Sequence, residues 1–213
     1  MAEFLDVYDA NRKLIGPCDR LVVHTFGLWH RTVHCYVVWN GKIVFSQRSA
    51  KKSNPNKLYS TVSGHLLSGE SIEAALRREL GEEIGLDASN LVMKKLDESV
   101  WIADMKKADG STSVDRVFYS LFMCELSDIK KIGFTDGEVD RVVAIDLNEF
   151  LKWSKSGGRD GVPAGTIAGT EWNGSTVKDV VISTGDFVVN EGEAIYTKYG
   201  LVAEMIQDVI CDK

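Results

Sequence analysis

The chain has 213 residues, 44% of them hydrophobic and 26% charged, a balance that suits a folded globular protein and excludes global disorder. Lysine and arginine number 25 against 31 aspartates and glutamates, so the formal net charge of −6 gives no general attraction for a nucleic-acid backbone or an anionic membrane. The longest unbroken apolar run, Cys35–Trp39, has five residues, far short of the roughly 20 that span a bilayer.

That length suits one body over residues 1–154, with residues 155–213 as a glycine-rich loop and a C-terminal helix packed on it. The opening Met-Ala-Glu-Phe-Leu-Asp has neither the basic start nor the apolar centre of a secretory signal. Cys18, Cys35, Cys124 and Cys211 form no C-x-x-C pair, so reduced thiols and a cytoplasmic location are expected.

In chain order, Phe4 to Tyr8 and Lys13 to Ile15 read as strands around the turn-like Asp9-Ala10-Asn11. Thr32 to Trp39 is β-branched and aromatic, and Asn40-Gly41 turns it into a second strand, Ile43 to Ser46. A polar loop follows over Lys51 to Lys57. Ser71 to Ile84 is the first clear helix, with Ile72, Leu76, Leu80 and Ile84 in one apolar stripe and Gly85 as its stop. Leu91 to Lys95, Val114 to Cys124 and Val139 to Ile145 read as strands, and Leu147 to Trp153 as a short helix. From Gly157 to Gly174, six glycines in eighteen residues predict a long loop or a loosely built hairpin. A helical period returns over Ala194 to Cys211. Strands, a helix, then more strands indicate an α+β mixed sheet.

The chemistry concentrates between Gly64 and Leu86, where Gly64, Glu70, Arg78, Glu79, Glu82, Glu83 and Gly85 stand at fixed spacing with apolar Leu80 and Leu86. At about 100° per residue, Glu79, Glu82 and Glu83 share one helix face. Each like-charged pair there costs about a few tenths of a kcal/mol. A hard divalent cation among them, Mg²⁺ above all, relieves that repulsion and leaves positions for water and phosphate oxygens. Gly64 allows close backbone approach, so its carbonyl can face the same ion. A bridge from Arg78 to Glu70 would pin the loop to the helix. The whole pattern arises by chance in a chain of this length on the order of once in ten million.

This segment resembles the Nudix box at every defining position. The resemblance implies a mixed β-sheet sandwiched between α-helices and hydrolysis of a diphosphate linked to another group, with Mg²⁺ or Mn²⁺. It implies Glu79, Glu82 and Glu83 as metal and catalytic carboxylates, the Gly64 carbonyl as a further ligand, and Glu70 and Arg78 as structural partners.

Residues 3–150 are similar, more narrowly, to the isopentenyl-diphosphate-isomerase-like branch of that superfamily, through FLDVYDANRKLIG, GLWHRTVHCYVVWNGKI, FSQRS and YSTVSGHLLSGES. In such isomerases a catalytic cysteine precedes the Gly-His pair and histidines help bind a metal. Here Ser63 precedes Gly64 and His65, and His24 and His30 have one residue less between them. Asp115 stands where the isomerases carry a glutamate pair. The likeness points to a branch of the fold more than to the isomerase reaction.

Other side chains have candidate roles. Arg48, Lys51 and Lys52 suit phosphate binding, and Trp29 or Phe26 could stack on a base or cover an apolar tail. His24, His30 and His34 read by default as hydrogen-bonded histidines on or near strands, whereas His65, inside the box loop, is a candidate for binding substrate. Asp136 and Glu138 are candidate bases or extra ligands, as is Asp115. The expected partner is a small-molecule diphosphate, not a nucleic-acid polymer or a membrane, and a homodimer is compatible with the family. A prenyl-diphosphate isomerase and a non-catalytic diphosphate-binding module are the rival readings.

Overall fold

The computed structural model describes residues 2–106, 112–157, 162–163, 165–189 and 194–212. Its strands are β1 (Phe4–Tyr8), β2 (Leu14–Asp19), β3 (Trp29–Trp39), β4 (Lys42–Arg48), β5 (Leu58–Tyr59), β6 (Val62–His65), β7 (Lys94–Lys106), β8 (Thr112–Leu126), β9 (Val139–Asp146), β10 (Ile167–Trp172) and β11 (Val177–Ile182). The helices are α1 (Arg20–Phe26), α2 (Ile72–Ile84), α3 (Leu147–Lys155) and α4 (Leu201–Cys211). The sheet runs β11-β10-β9-β4-β3-β1-β2, with β8 alongside β3 and β7 outside β8. It is mixed, because β3 and β8 run parallel from Trp29↔Arg116 to Trp39↔Leu126 while its neighbours are antiparallel.

Helices cover both faces. On one, Leu76, Leu80 and Ile84 of α2 pack with Val33, Cys35, Val37 and Ala144. On the other, Phe150 of α3 and Ile206 of α4 pack with Tyr36, Val38, Phe45 and Ile145. Strand β3 is therefore buried on both sides, which explains its unbroken apolar run. The α+β sandwich expected from the sequence is present.

The far edge of β3 is shared. Val37–Trp39 pair with β4, and Thr32–Cys35 pair with β6. Thr61 fills the fork, accepting from the Val37 N–H at 2.9 Å and donating to the Val44 carbonyl. Strand β6 thus enters the sheet centre and runs directly into the box.

Several elements differ from the sequence expectations. The loop expected from Gly64 begins instead as strand, since Gly64 and His65 pair with Val33 and Thr32. Strand β7 starts at Lys94 and runs to Lys106, where its long ladder with β8 overrides a polar sequence. Helix α1 has only seven residues, capped by Asp19 and ended by left-handed Gly27, too short to show a period. The glycine-rich stretch lies partly outside the described residues, but from Ile167 it is strand: β10 adds to β9, so an existing edge supplies the hydrogen bonds. The last helical region divides into a π-helical turn, Tyr196–Gly200, and α4.

Candidate functional site

Helix α2 places the acids. Ser71 caps its first turn and left-handed Gly85 (φ 57°) its last. With Leu76, Leu80 and Ile84 committed to the core, the next face carries Glu79 and Glu83 one turn apart against β6. Glu79 is 8% and Glu83 6% exposed. A methyl group at Gly64 would overlap the Glu79 carboxylate, so glycine is required for this approach. The Ser63 N–H donates to Glu83 Oε2 at 3.2 Å. Glu82 is exposed.

Arg78 holds the assembly together. Its guanidinium donates to both oxygens of Glu70 at 2.9 Å, to the His65 carbonyl at 2.9 Å, to Glu79 at 2.7 Å and to Glu82 at 3.0 Å. Burial opposes ionisation of Glu70, but the Arg78 bonds and the Leu67 N–H outweigh it and lower its pKa. Glu79 and Glu83 go the other way. Desolvation raises Glu79 to about 7 despite Arg78. It raises Glu83 to about 8 despite Lys52, whose ammonium lies 3.7 Å from Glu83 and also pairs with Glu138. Two buried acids short of positive charge, a cation already drawn to them and a backbone with no Cβ in the way form a donor set that fits Mg²⁺ or Mn²⁺.

Three histidines, two of them read by default as ordinary strand-associated residues and His65 as a candidate for substrate, come together beside the box. His24 of α1, His30 of β3 and His65 of β6 have ring centroids 5.0–5.1 Å apart, and one ligand atom from each lies within 4.8 Å of the others. His24 Nδ1 pairs with Asp115, and His30 Nδ1 donates to the Leu28 carbonyl at 3.0 Å. The buried Nε2 of His30 has no partner. Burial lowers the pKa of His30 and His65, favouring the neutral form that ligates metals. His24 and His30 flank Gly27, the left-handed end of α1. Two histidines bracketing that glycine were the available signal.

The remaining candidates are spread more widely. Arg48 folds over its own loop, donating to the Ser53 carbonyl at 2.6 Å, with its guanidinium 5.5 Å from the Tyr59 ring centre. The Lys51 ammonium lies near Gly137. Asp136 accepts from the Glu138 N–H at 2.8 Å, a turn-forming bond. Trp29 stacks on Phe118 at 4.6 Å. It alternates with His30 along β3, so it stands on the opposite face from the histidines; Phe26 is exposed. A groove of about 840 Å³ between β10, β11 and α3 contains none of the box residues.

The model of the NUDIX domain matches residues 28–164. The chain belongs to the Nudix family. Among curated Nudix relatives, an uncharacterized Nudix hydrolase of Clostridium acetobutylicum is 35% identical over 71% of this chain and 73% of its own. An isopentenyl-diphosphate Delta-isomerase of Burkholderia multivorans is 36% identical over 72% of this chain and 77% of its own. A crystal structure from Deinococcus radiodurans shares the Nudix fold, with a TM-score of 0.54 at 22% identity over 73% of this chain and 90% of that one. Among the described residues, no helix is long and apolar enough to cross a membrane.

Proposed function

We propose that this Nudix chain hydrolyses the phosphoanhydride bond of an organic diphosphate, with Mg²⁺ or Mn²⁺ held by Glu79, Glu82, Glu83 and the Gly64 carbonyl. The observation that carries this reading is the buried pair Glu79 and Glu83, packed against Gly64 within a complete box. A bound cation would neutralise the diphosphate oxygens and acidify a water. Arg78 fixes Glu79 and the strand carrying His65. Lys52, once released from Glu83, offers its ammonium to phosphate oxygens, and Glu83 or Glu138 accepts the proton of the attacking water at a carboxylate oxygen.

The test is phosphate or pyrophosphate release over a diphosphate library, with and without Mg²⁺. Metal-stimulated release that falls at least a hundredfold (~10²) in Glu83→Gln supports the reading. Binding without turnover across the library would make the chain a non-catalytic module, and parent-like turnover by Glu83→Gln would remove that residue's role.

A second reading, a prenyl-diphosphate isomerase, is favoured by the cluster of His24, His30 and His65 with Asp115. Against it, Ser63 offers a hydroxyl where the isomerases use a thiol. Incubation with isopentenyl diphosphate separates the two, since isomerisation yields a rearranged product and no phosphate.

A further inference from the structure

Strand β1 lies before residue 28, where the family match begins, yet it grips the loop that leads into the box helix. Residues 67–70 of that loop form a tight turn. The Glu70 N–H donates to the Leu67 carbonyl at 2.9 Å, and Gly69 is left-handed (φ 75°), a conformation that has no steric cost for glycine. The other three N–H groups of the turn are also taken. Leu67 donates to Glu70 Oε2 at 2.9 Å, Ser68 to the Phe4 carbonyl at 2.9 Å and Gly69 to Asp6 Oδ2 at 3.0 Å. The Ser68 hydroxyl donates to Asp6 Oδ1 at 2.8 Å, so one carboxylate of β1 closes two of the turn's contacts.

The neighbouring residue supplies the apolar half of the grip. Leu5 bridges to Leu67 and is fully buried with Val7 and Val23 in a small core separate from the two beneath the larger helices. Leu5 and Asp6 leave the strand on opposite faces, so β1 holds the turn from two directions. From the turn, the path to the acids is continuous. Glu70 gives both oxygens to Arg78 at 2.9 Å, and the same guanidinium donates to Glu79 at 2.7 Å. Arg78 spans Glu70 and Glu79 together only while the turn stays where β1 holds it.

We propose that Asp6 is a positioning residue of the box: through Ser68 and Gly69 it holds the turn, and through Glu70 and Arg78 it fixes the direction of the Glu79 carboxylate. The affinity of the box for a divalent cation then depends on a strand outside the family span. The inference rests on the reading of the box as the metal site of a diphosphate hydrolase. Partners that orient a metal's ligands change its affinity by roughly ten- to a hundredfold; Asp6 acts at one further remove, so about tenfold is expected.

The test is Mn²⁺ binding to the full chain, read from the paramagnetic resonance signal of the free ion, with amide hydrogen exchange over residues 66–70 measured on the same variants. Asp6→Ala leaves the Gly69 N–H and the Ser68 hydroxyl without their acceptor. It is expected to bind Mn²⁺ about tenfold more weakly, with faster exchange in the turn. Asp6→Asn can rebuild both contacts, its carbonyl accepting from Gly69 and its amide donating to Ser68 Oγ, and is expected to recover most of the loss. Should Asp6→Ala fail to fold, Ser68→Ala removes one contact of the two and enters the same comparison with a smaller expected loss. Parent-like affinity in the alanine variant, weaker binding with unchanged exchange, or an asparagine variant as weak as alanine overturns the inference, the last because charge rather than position would then be at work. All three leave the hydrolase reading intact. A parent that binds no Mn²⁺ overturns the inference, and one that also releases no phosphate from any diphosphate overturns both.

Discussion

Replacing Glu83 by glutamine separates the energetic cost of the acidic pair from its chemistry. The Glu83 carboxyl is only 8% exposed, and desolvation pushes its pKa from 4.5 to about 8. A carboxyl that holds its proton more tightly when folded contributes stability that is complete at low pH. That contribution declines as pH rises above 4.5 and is exhausted once pH passes about 8. At pH 7.5, about three units above the unfolded value, the penalty is about 4 kcal/mol. Glutamine keeps the size and an acceptor for the Ser63 N–H but cannot ionise; the loss of one Lys52 partner offsets part of the gain. In EDTA at pH 7.5, Glu83→Gln is therefore expected to be more stable than the parent by about 2–4 kcal/mol, roughly 5–10 °C in Tm for a chain of this size. At pH 4.5 the two should melt together. Saturating Mg²⁺ should close the gap from the parent's side, because only the parent gains binding energy from the full carboxylate set. Thermal unfolding at both pH values, with EDTA and with Mg²⁺, checks each arm. A variant less stable than the parent at pH 7.5 in EDTA, or a gap equal at both pH values, would refute the reasoning.

Arg78→Lys cannot span Glu70, Glu79, Glu82 and the His65 carbonyl with one ammonium, so denaturant unfolding should show a loss of about 2–3 kcal/mol; a loss below about 0.5 kcal/mol would show that the fork is not needed. Gly64→Ala drives a methyl group into the Glu79 carboxylate and should weaken Mg²⁺ binding at least tenfold (~10-fold) by calorimetry with the circular dichroism spectrum retained. Lys52→Met removes the ammonium that competes for Glu83 and Glu138, and Mn²⁺ affinity is expected to rise about tenfold; unchanged affinity would mean that Lys52 does not occupy the cation's place.

Local pattern made the box helix legible. The stripe from Ile72 to Ile84 and Gly85 predicted α2 and its stop, and the interval from Glu70 to Arg78 announced the bridge between them. The shared helix face of Glu79, Glu82 and Glu83 concealed a difference, since burial is a property of what packs on the helix: β6 covers Glu79 and Glu83 and leaves Glu82 to solvent. That His24, His30 and His65 meet was hidden from local pattern for a related reason, although the isomerase resemblance pointed to His24 and His30. They arrive from a seven-residue helix, the start of one strand and the end of another, and no window holds all three.

On its own, then, the order of residues determined the helix that carries the acids, the strand and turn signals of the first half and the family of the chain, because each is written in neighbours a few positions apart. Only the folded chain decided how β3 splits its edge to admit β6, which acids lose their water, which histidines meet, and that a lysine near the C-terminus stands over Tyr59. Those relations depend on desolvation and on contacts between residues as many as 139 positions apart, the separation of Tyr59 and Lys198, and no short-range pattern encodes them.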